Sequence, residues 1–351
     1  MELQTDPSTL DCGGKPDPQG VCAIKGCTEE KMAECAHHGH DHAHACAPEH
    51  EGIPDDGEPH ASPSRWHIPA RPNKETFPPP PARLHRRWDR TARLLGDNAM
   101  KRLAQAHVVV FGLGGVGSFA VEGLVRSGVG RLTLVDFDDV CVTNFNRQLH
   151  AVRGSVGKAK ADLMAERALS INPDVWVEPI QAFYEASTAE QLLEPRPDFV
   201  VDCIDNVTAK LHLLATCMKR GIPVVSSMGA AAKLDPTRIR TGDLSETRKD
   251  RLAKAIRKYL GRHYDIDCTR PTGVTAVYSD EPILDPLELD YDASVGGFMC
   301  VCPHKENSPH ACEKRNVIHG TAVFVTSMFG MTCASVVVRK LAEQAPPPLP
   351  V

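Results

Sequence analysis

Gly112-Leu-Gly114-Gly115-Val-Gly117 lies where the apolar run 107–111 ends and a helix-forming run begins. Glycines at this spacing let backbone approach a phosphate closely. The helix N-terminus behind them supplies amide donors and positive potential. Asp136 closes the next apolar run, where a carboxylate accepts the hydroxyls of a nucleotide ribose. To this point NAD fits as well as ATP. The chain then reads Thr143-Asn144-Phe145-Asn146-Arg147-Gln148, followed by Val156-Gly157-Lys158-Ala159-Lys160. Hydride transfer has no use for an arginine just beyond the ribose carboxylate, whereas attack on the α-phosphate of ATP does. Asn144 and Arg147 suit phosphate oxygens and a pentacoordinate phosphorus. Lys160, opening the next helix, can bring a point charge to the β- or γ-phosphate. A solvated surface charge is the plain alternative for either basic residue alone, but two so near a nucleotide carboxylate are harder to read that way. Asp205 and Asn206 follow the apolar run 198–204. A carboxylate at the carboxyl edge of a parallel sheet faces the ligand crevice, where Asp205 can hold Mg²⁺. Asp202 reads as a residue behind the site or a helix-cap partner.

These residues need a frame. Strands are expected at 107–111, 131–136, 174–180, 198–204 and 222–227. Helices are expected at 115–128, 157–171 and 207–220, after one or two short helices in 87–103. This alternation, with strands apolar throughout, predicts an α/β fold: a Rossmann-like, doubly wound, mostly parallel sheet with helices on both faces. Beyond Pro236 the pattern loosens to strands at 237–241 and 274–279, a charged helix at 246–260 and a loop around Pro282-Ile-Leu-Asp-Pro286. A closing apolar helix is expected over 318–341. Thr321, Thr326, Ser327, Thr332 and Ser335 interrupt it, so it reads as buried rather than membrane-associated.

The 351 residues carry a net charge of −5, unevenly placed. Residues 1–81 hold 14 acidic and 6 basic side chains, and residues 82–351 hold 31 and 34. The acidity belongs to a Pro/Gly-rich stretch with five Cys, eight His and almost no apolar periodicity. Such a segment cannot bury enough surface to offset chain entropy. The expected organisation is a disordered tail over 1–81 and one catalytic domain over 82–345. Within the tail, residues 35–46 place five His between Cys35 and Cys46, densely enough to bind Zn²⁺, Ni²⁺ or Cu ions, unless the run is only low-complexity sequence. A second cluster, Cys300, Cys302, Cys312 and His310 (or His304), meets the ligand inventory of tetrahedral Zn²⁺, with a cysteine-containing loop as the plain alternative. The first thirty residues lack an apolar signal segment, so reduced thiols and a cytoplasmic location are expected. The mildly basic catalytic part permits RNA binding.

In order and spacing, GxGGxG, LVDFDDV, TNxNRQ, VGxxK and DxIDN resemble the ATP-activating domain of the ubiquitin-activating-like (ThiF/MoeB/HesA) superfamily. The resemblance implies carboxyl adenylation with release of pyrophosphate, and an ATP site lined by Gly115, Asp136, Asn144, Arg147, Lys160, Asp205 and Asn206. It also implies a homodimer in which an arginine of the segment before the first strand reaches the other copy's ATP. Here that segment is Arg87-Trp-Asp-Arg90-Thr-Ala-Arg93, and Arg90 is favoured over Arg93. Over residues 85–342 the chain is most similar to the tRNA threonylcarbamoyladenosine dehydratase branch. That branch implies a tRNA substrate whose threonine carboxylate is activated and cyclised with net loss of water. A cysteine-desulfurase partner for sulfur relay is a further implication. The cysteine that many members carry two residues after the Gly-Val of GVxxVxSxE is Ala276 here, and no catalytic cysteine is assigned. The alternative is an adenylyltransferase acting on the C-terminal glycine of a ubiquitin-like sulfur carrier. Those enzymes usually carry two Cys-x-x-Cys pairs, and none occurs after residue 82. The basic stretch 238–263 suits tRNA phosphates or, equally, a solvated helix face.

Overall fold

The alternation of apolar and amphipathic runs builds one sheet and its covering helices. The computed structural model describes residues 66, 68–79, 85–289 and 318–343. Residues 35–46 and the set Cys300, Cys302, His304, His310 and Cys312 lie outside the described residues. Two short helices, α1 (Asp89–Leu95) and α2 (Asp97–Gln105), lead into β1 (His107–Phe111). There follow α3 (Gly117–Arg126), β2 (Arg131–Val135), α4 (Lys160–Ile171), β3 (Trp176–Ile180), α5 (Ala186–Leu192), β4 (Phe199–Asp202), α6 (Val207–Arg220) and β5 (Val224–Ser227). The chain continues through β6 (Ile239–Asp243), α7 (Arg251–Tyr264), β7 (Thr275–Ser279) and α8 (Val323–Glu343).

The strand order is β3-β2-β1-β4-β5-β7-β6. All pairs are parallel except β6 with β7. Val108 of β1 pairs with Leu132 on one side and Phe199 on the other, so the strand order, not the strand direction, reverses at β1/β4. Ligands of doubly wound sheets bind at the carboxyl edge of such a switch point. Side chains alternate across β1: Val108 and Val110 enter one apolar core, Val109 and Phe111 the other. The first core is closed by α3, α4 and α8, and the second by α6 and α7. The expected doubly wound α/β architecture is the observed one.

α8 is the one helix among the described residues long and apolar enough to cross a membrane. Its Val325, Phe329, Cys333 and Val337 are fully buried in the first core. It lies so close to α3 that a Cβ on Gly330 would fall 2.2 Å from the Val116 carbonyl oxygen. Two features depart from expectation. The short helix α5 was not anticipated, because its sequence ASTAEQL carries no helical apolar stripe. The tail does not run unstructured to residue 81. Phe77 is buried with its ring centroid 4.8 Å from that of Trp176, and Arg71 donates to Glu178, to Thr133 Oγ1 (3.1 Å) and to the Glu194 carbonyl (2.8 Å). Isolated contacts such as these, with Arg131 donating to the Pro78 carbonyl (3.1 Å), hold residues 68–79, and no periodic pattern reports them.

Candidate active site

The loops after β1, β2 and β4 meet at the switch point. Gly112 turns the chain with φ +82°, and a Cβ there would lie 2.7 Å from the Cys203 carbonyl oxygen. A Cβ on Gly117 would overlap the Gly112 carbonyl oxygen at 1.8 Å. These two glycines are demanded by the turn itself. Gly114 is different, since the nearest atom to its missing Cβ is Gln148 Nε2 at 3.9 Å, and the backbone there is open to a ligand. A Cβ on Gly115 would press on the Arg147 stem, 3.0 Å from Cγ. Ser118 Oγ donates to the Gly114 carbonyl (2.7 Å) and accepts from the Leu149 amide (3.3 Å), tying the turn to the segment that bears Arg147.

Asp136, at the end of β2, is buried. Its two oxygens accept the Leu113 amide (2.6 Å) and the Asp138 amide (2.8 Å). Burial pushes its pKa up to about 6, and the Asp138 carboxylate adds to the rise against the pull of Lys160 and the two amides. Lys160, the first residue of α4, is buried with Nζ 2.8 Å from Asp138 Oδ2. Burial acts to lower its pKa, but Asp136, Asp138 and Asp205 outweigh it and hold the ammonium above its ordinary value. Asp205 is exposed at the lip of this cluster.

Other predicted residues also do structural work. Asn144 is buried and accepts the Cys141 amide at 3.0 Å, closing a turn. Arg147 donates to the Thr143 carbonyl and to Asn146 Oδ1, each at 2.9 Å, which fixes its guanidinium beside the glycine turn. Asn206 caps α6 through the Ala209 amide (2.9 Å). That cap excludes Asp202 from the role, and Asp202 instead forms a fully buried ion pair with Lys210 at 2.6 Å. Lys210 Nζ also donates to Ser226 Oγ (3.1 Å) and the Ser227 carbonyl (3.0 Å). Asp202 Oδ1 accepts the Ile204 amide (3.0 Å), so this network sets the loop that presents Asp205. Arg90 is exposed on α1 and forms no ion pair among the described residues, whereas Arg93 is held by Asp89 at 3.0 Å. Ala276 is fully buried within β7.

Three residues of the site were missed from sequence. Asp138 could have been found as the second acid of Asp136-Phe-Asp138. Gln148 and His150 follow Arg147 directly. Both are buried, and Gln148 Oε1 and both His150 ring nitrogens have no hydrogen-bond partner among the described residues. Burial, with Lys160 adding, lowers the His150 pKa to about 4 and keeps the ring neutral. Among the described residues no three His, Cys, Asp or Glu side chains form a ready metal-ligand set.

The ThiF family model matches residues 88–350. The chain belongs to the ThiF family. This ThiF-family chain is 38% identical to the tRNA threonylcarbamoyladenosine dehydratase of Escherichia coli over 261 residues, covering 74% of the chain and 94% of that enzyme. It is 40% identical to the tRNA threonylcarbamoyladenosine dehydratase of Bacillus subtilis, also over 261 residues, covering 74% of the chain and 96% of the relative. The crystal structure of the E. coli enzyme in complex with ATP superposes with a TM-score of 0.63 at 37% identity, over 74% of this chain and 96% of that one.

Proposed function

We propose that the chain is an ATP-dependent tRNA threonylcarbamoyladenosine dehydratase. The observation that carries the reading is the gathering of an open glycine turn, Arg147, Lys160 and Asp205 at the switch point. It occurs in a chain that aligns with nearly the whole length of the dehydratase relatives. In this reading Gly112, Gly114, Gly115 and Gly117 form the phosphate cradle, and Asp136 accepts the ribose hydroxyls. Asn144 and Asn206 shape the walls of the ATP site. A threonine carboxylate oxygen attacks the α-phosphorus, the bond to the β-phosphate oxygen breaks, and pyrophosphate leaves. Arg147 stabilises the charge on the pentacoordinate phosphorus, and Lys160 the charge on the leaving pyrophosphate. The ureido group of the modified adenosine then attacks the activated carbonyl, AMP departs and one proton is released, so the substrate loses one water overall.

Three carboxylates, Asp136, Asp138 and Asp205, stand against the single ammonium of Lys160. Such a set repels a bare triphosphate and fits one accompanied by a divalent cation. Asp205 would hold Mg²⁺, which supplies charge neutralisation at the leaving group. The enzyme would act as a homodimer, with Arg90 of one copy completing the other's site, since its guanidinium is not engaged as that of Arg93 is. Its place would be the cytoplasm, with its tRNA substrate. A cysteine-desulfurase partner is the remaining family expectation, and buried Ala276 offers it no thiol. The test is pyrophosphate release. It should require tRNA bearing threonylcarbamoyladenosine, whereas release driven instead by a protein ending in Gly-Gly would favour the sulfur-carrier alternative.

A further inference from the structure

α7 is a helix of one sign: it contains Arg251, Lys254, Arg257, Lys258 and Arg262, and no Asp or Glu. Its stripe of Ala253, Ile256 and Leu260 is fully buried against the second core, which fixes the face turned outward. Arg257 folds inward onto the Leu244 carbonyl and Thr247 Oγ1. The other four are exposed. At about 100° per residue they fall within about 80° of one another, along a rise of about 16 Å. Among the described residues none of the four pairs with a carboxylate. Of the nearby acids, Asp250 caps the helix through the Ala253 amide and Asp267 holds Thr269 and Arg270, while Asp265, at the left-handed C-cap, forms no ion pair with any of the four.

Two aspects of this arrangement work against the helix. Lys254, Lys258 and Arg262 follow at a spacing where like charges repel. Arg248, Lys249 and Arg251 crowd the helix N-terminus, where the positive end of the dipole already disfavours cations. The fold gains nothing from either, and a polyanion laid along this face would relieve both. The helix is also well placed. Asp250 Oδ2 accepts the Gly229 amide (3.2 Å) just beyond β5, the strand beside β4. The N-terminal end of α7 is therefore moored at the sheet edge that carries the glycine turn and Asp205.

We infer that the outer face of α7, through Arg251, Lys254, Lys258 and Arg262, docks the phosphodiester backbone of the RNA substrate and leads it to the crevice. The inference rests on the functional reading above and adds the surface. Contacts of this kind position an RNA without reading its bases. About 16 Å of helix is long enough for the four cations to meet several successive phosphates of one strand.

The experiment uses the full-length chain with Lys254→Glu, Lys258→Glu and Arg262→Glu combined. Binding to tRNA bearing threonylcarbamoyladenosine is followed by fluorescence anisotropy from about 50 to about 200 mM salt. The expected result is affinity weakened at least about tenfold and a log–log salt slope shallower by about two to three. ATP affinity and melting temperature should match wild type, and Lys254→Arg with Lys258→Arg should retain tRNA affinity. Wild-type tRNA affinity and slope in the folded triple-Glu variant would overturn the docking surface. A wild-type chain that neither binds nor modifies tRNA would overturn the functional reading, and this inference with it, before any variant is compared.

Discussion

Replacing Lys210 by Met tests how the fold holds the site. The Lys210 ammonium is fully buried and meets the Asp202 carboxylate, Ser226 Oγ and the Ser227 carbonyl, all within 2.6–3.1 Å. Met fills similar volume but leaves Asp202 buried without its counter-charge. Breaking a buried pair on one side costs about 3–5 kcal/mol. At about 2–4 °C per kcal/mol for a fold of this size, the melting temperature should fall by on the order of 6–20 °C. Replacing both partners, Asp202→Leu with Lys210→Met, removes both charges and should recover most of that loss. The double variant should still bind ATP poorly, because the Ile204 amide has lost Asp202 Oδ1 and the loop bearing Asp205 is no longer set. Thermal denaturation and calorimetric ATP titration on Lys210→Met, Asp202→Leu and the double variant separate the two effects. Additive losses in the double variant, or wild-type ATP affinity in it, would refute the argument that this pair shapes the site.

Arg147→Ala and Asp205→Ala should each abolish pyrophosphate release with melting temperatures close to wild type, because neither side chain lies in a core; wild-type turnover in either removes that residue from the mechanism. Gly112→Ala should destabilise the fold by more than about 1 kcal/mol, since it combines φ +82° with a 2.7 Å clash. Gly114→Ala should leave stability nearly unchanged and weaken ATP binding, and equal melting temperatures for the two variants would contradict the division of roles in the turn. Asp136 gives a pH dependence with two opposite signs. Its carboxylate is the ribose acceptor, so ATP affinity should fall as pH drops through about 6. Its folded pKa lies above the ordinary 3.8, so its ionisation costs fold stability as pH rises from about 3.8 to about 6. Asp136→Asn should flatten both trends, which calorimetry and thermal melts across pH will read.

The parts of this structure that repeat were legible in the sequence. β1 and the glycine turn announce themselves through an unbroken apolar run and a fixed glycine spacing, and Asp136 follows from the strand that carries it. Parts set by contacts between distant positions were not legible. Lys210 sits in an ordinary helical sequence, and only the fold reveals that it is buried against Asp202 and Ser226. Arg71 and Phe77 anchor residues 68–79 without any period. Asn206 and Lys160 read as nucleotide-site residues in the sequence, but that Asn206 also caps α6 and that Lys160 rests on Asp138 is not legible there. In both cases residue type and position were readable, but the partner depends on how loops from separate strands converge. The basic stretch around α7 showed the same limit: its charge was plain, while its division into a buried stripe and an outer face required the packed helix.

This chain removes water from threonylcarbamoyladenosine in tRNA at the expense of ATP. Mass spectrometry of nucleosides from modified tRNA, incubated with the protein and ATP, tests it most directly. The threonylcarbamoyladenosine signal should become lighter by the mass of one water, a shift that depends on ATP and vanishes with Arg147→Ala. An unshifted nucleoside with active, ATP-binding protein would contradict it.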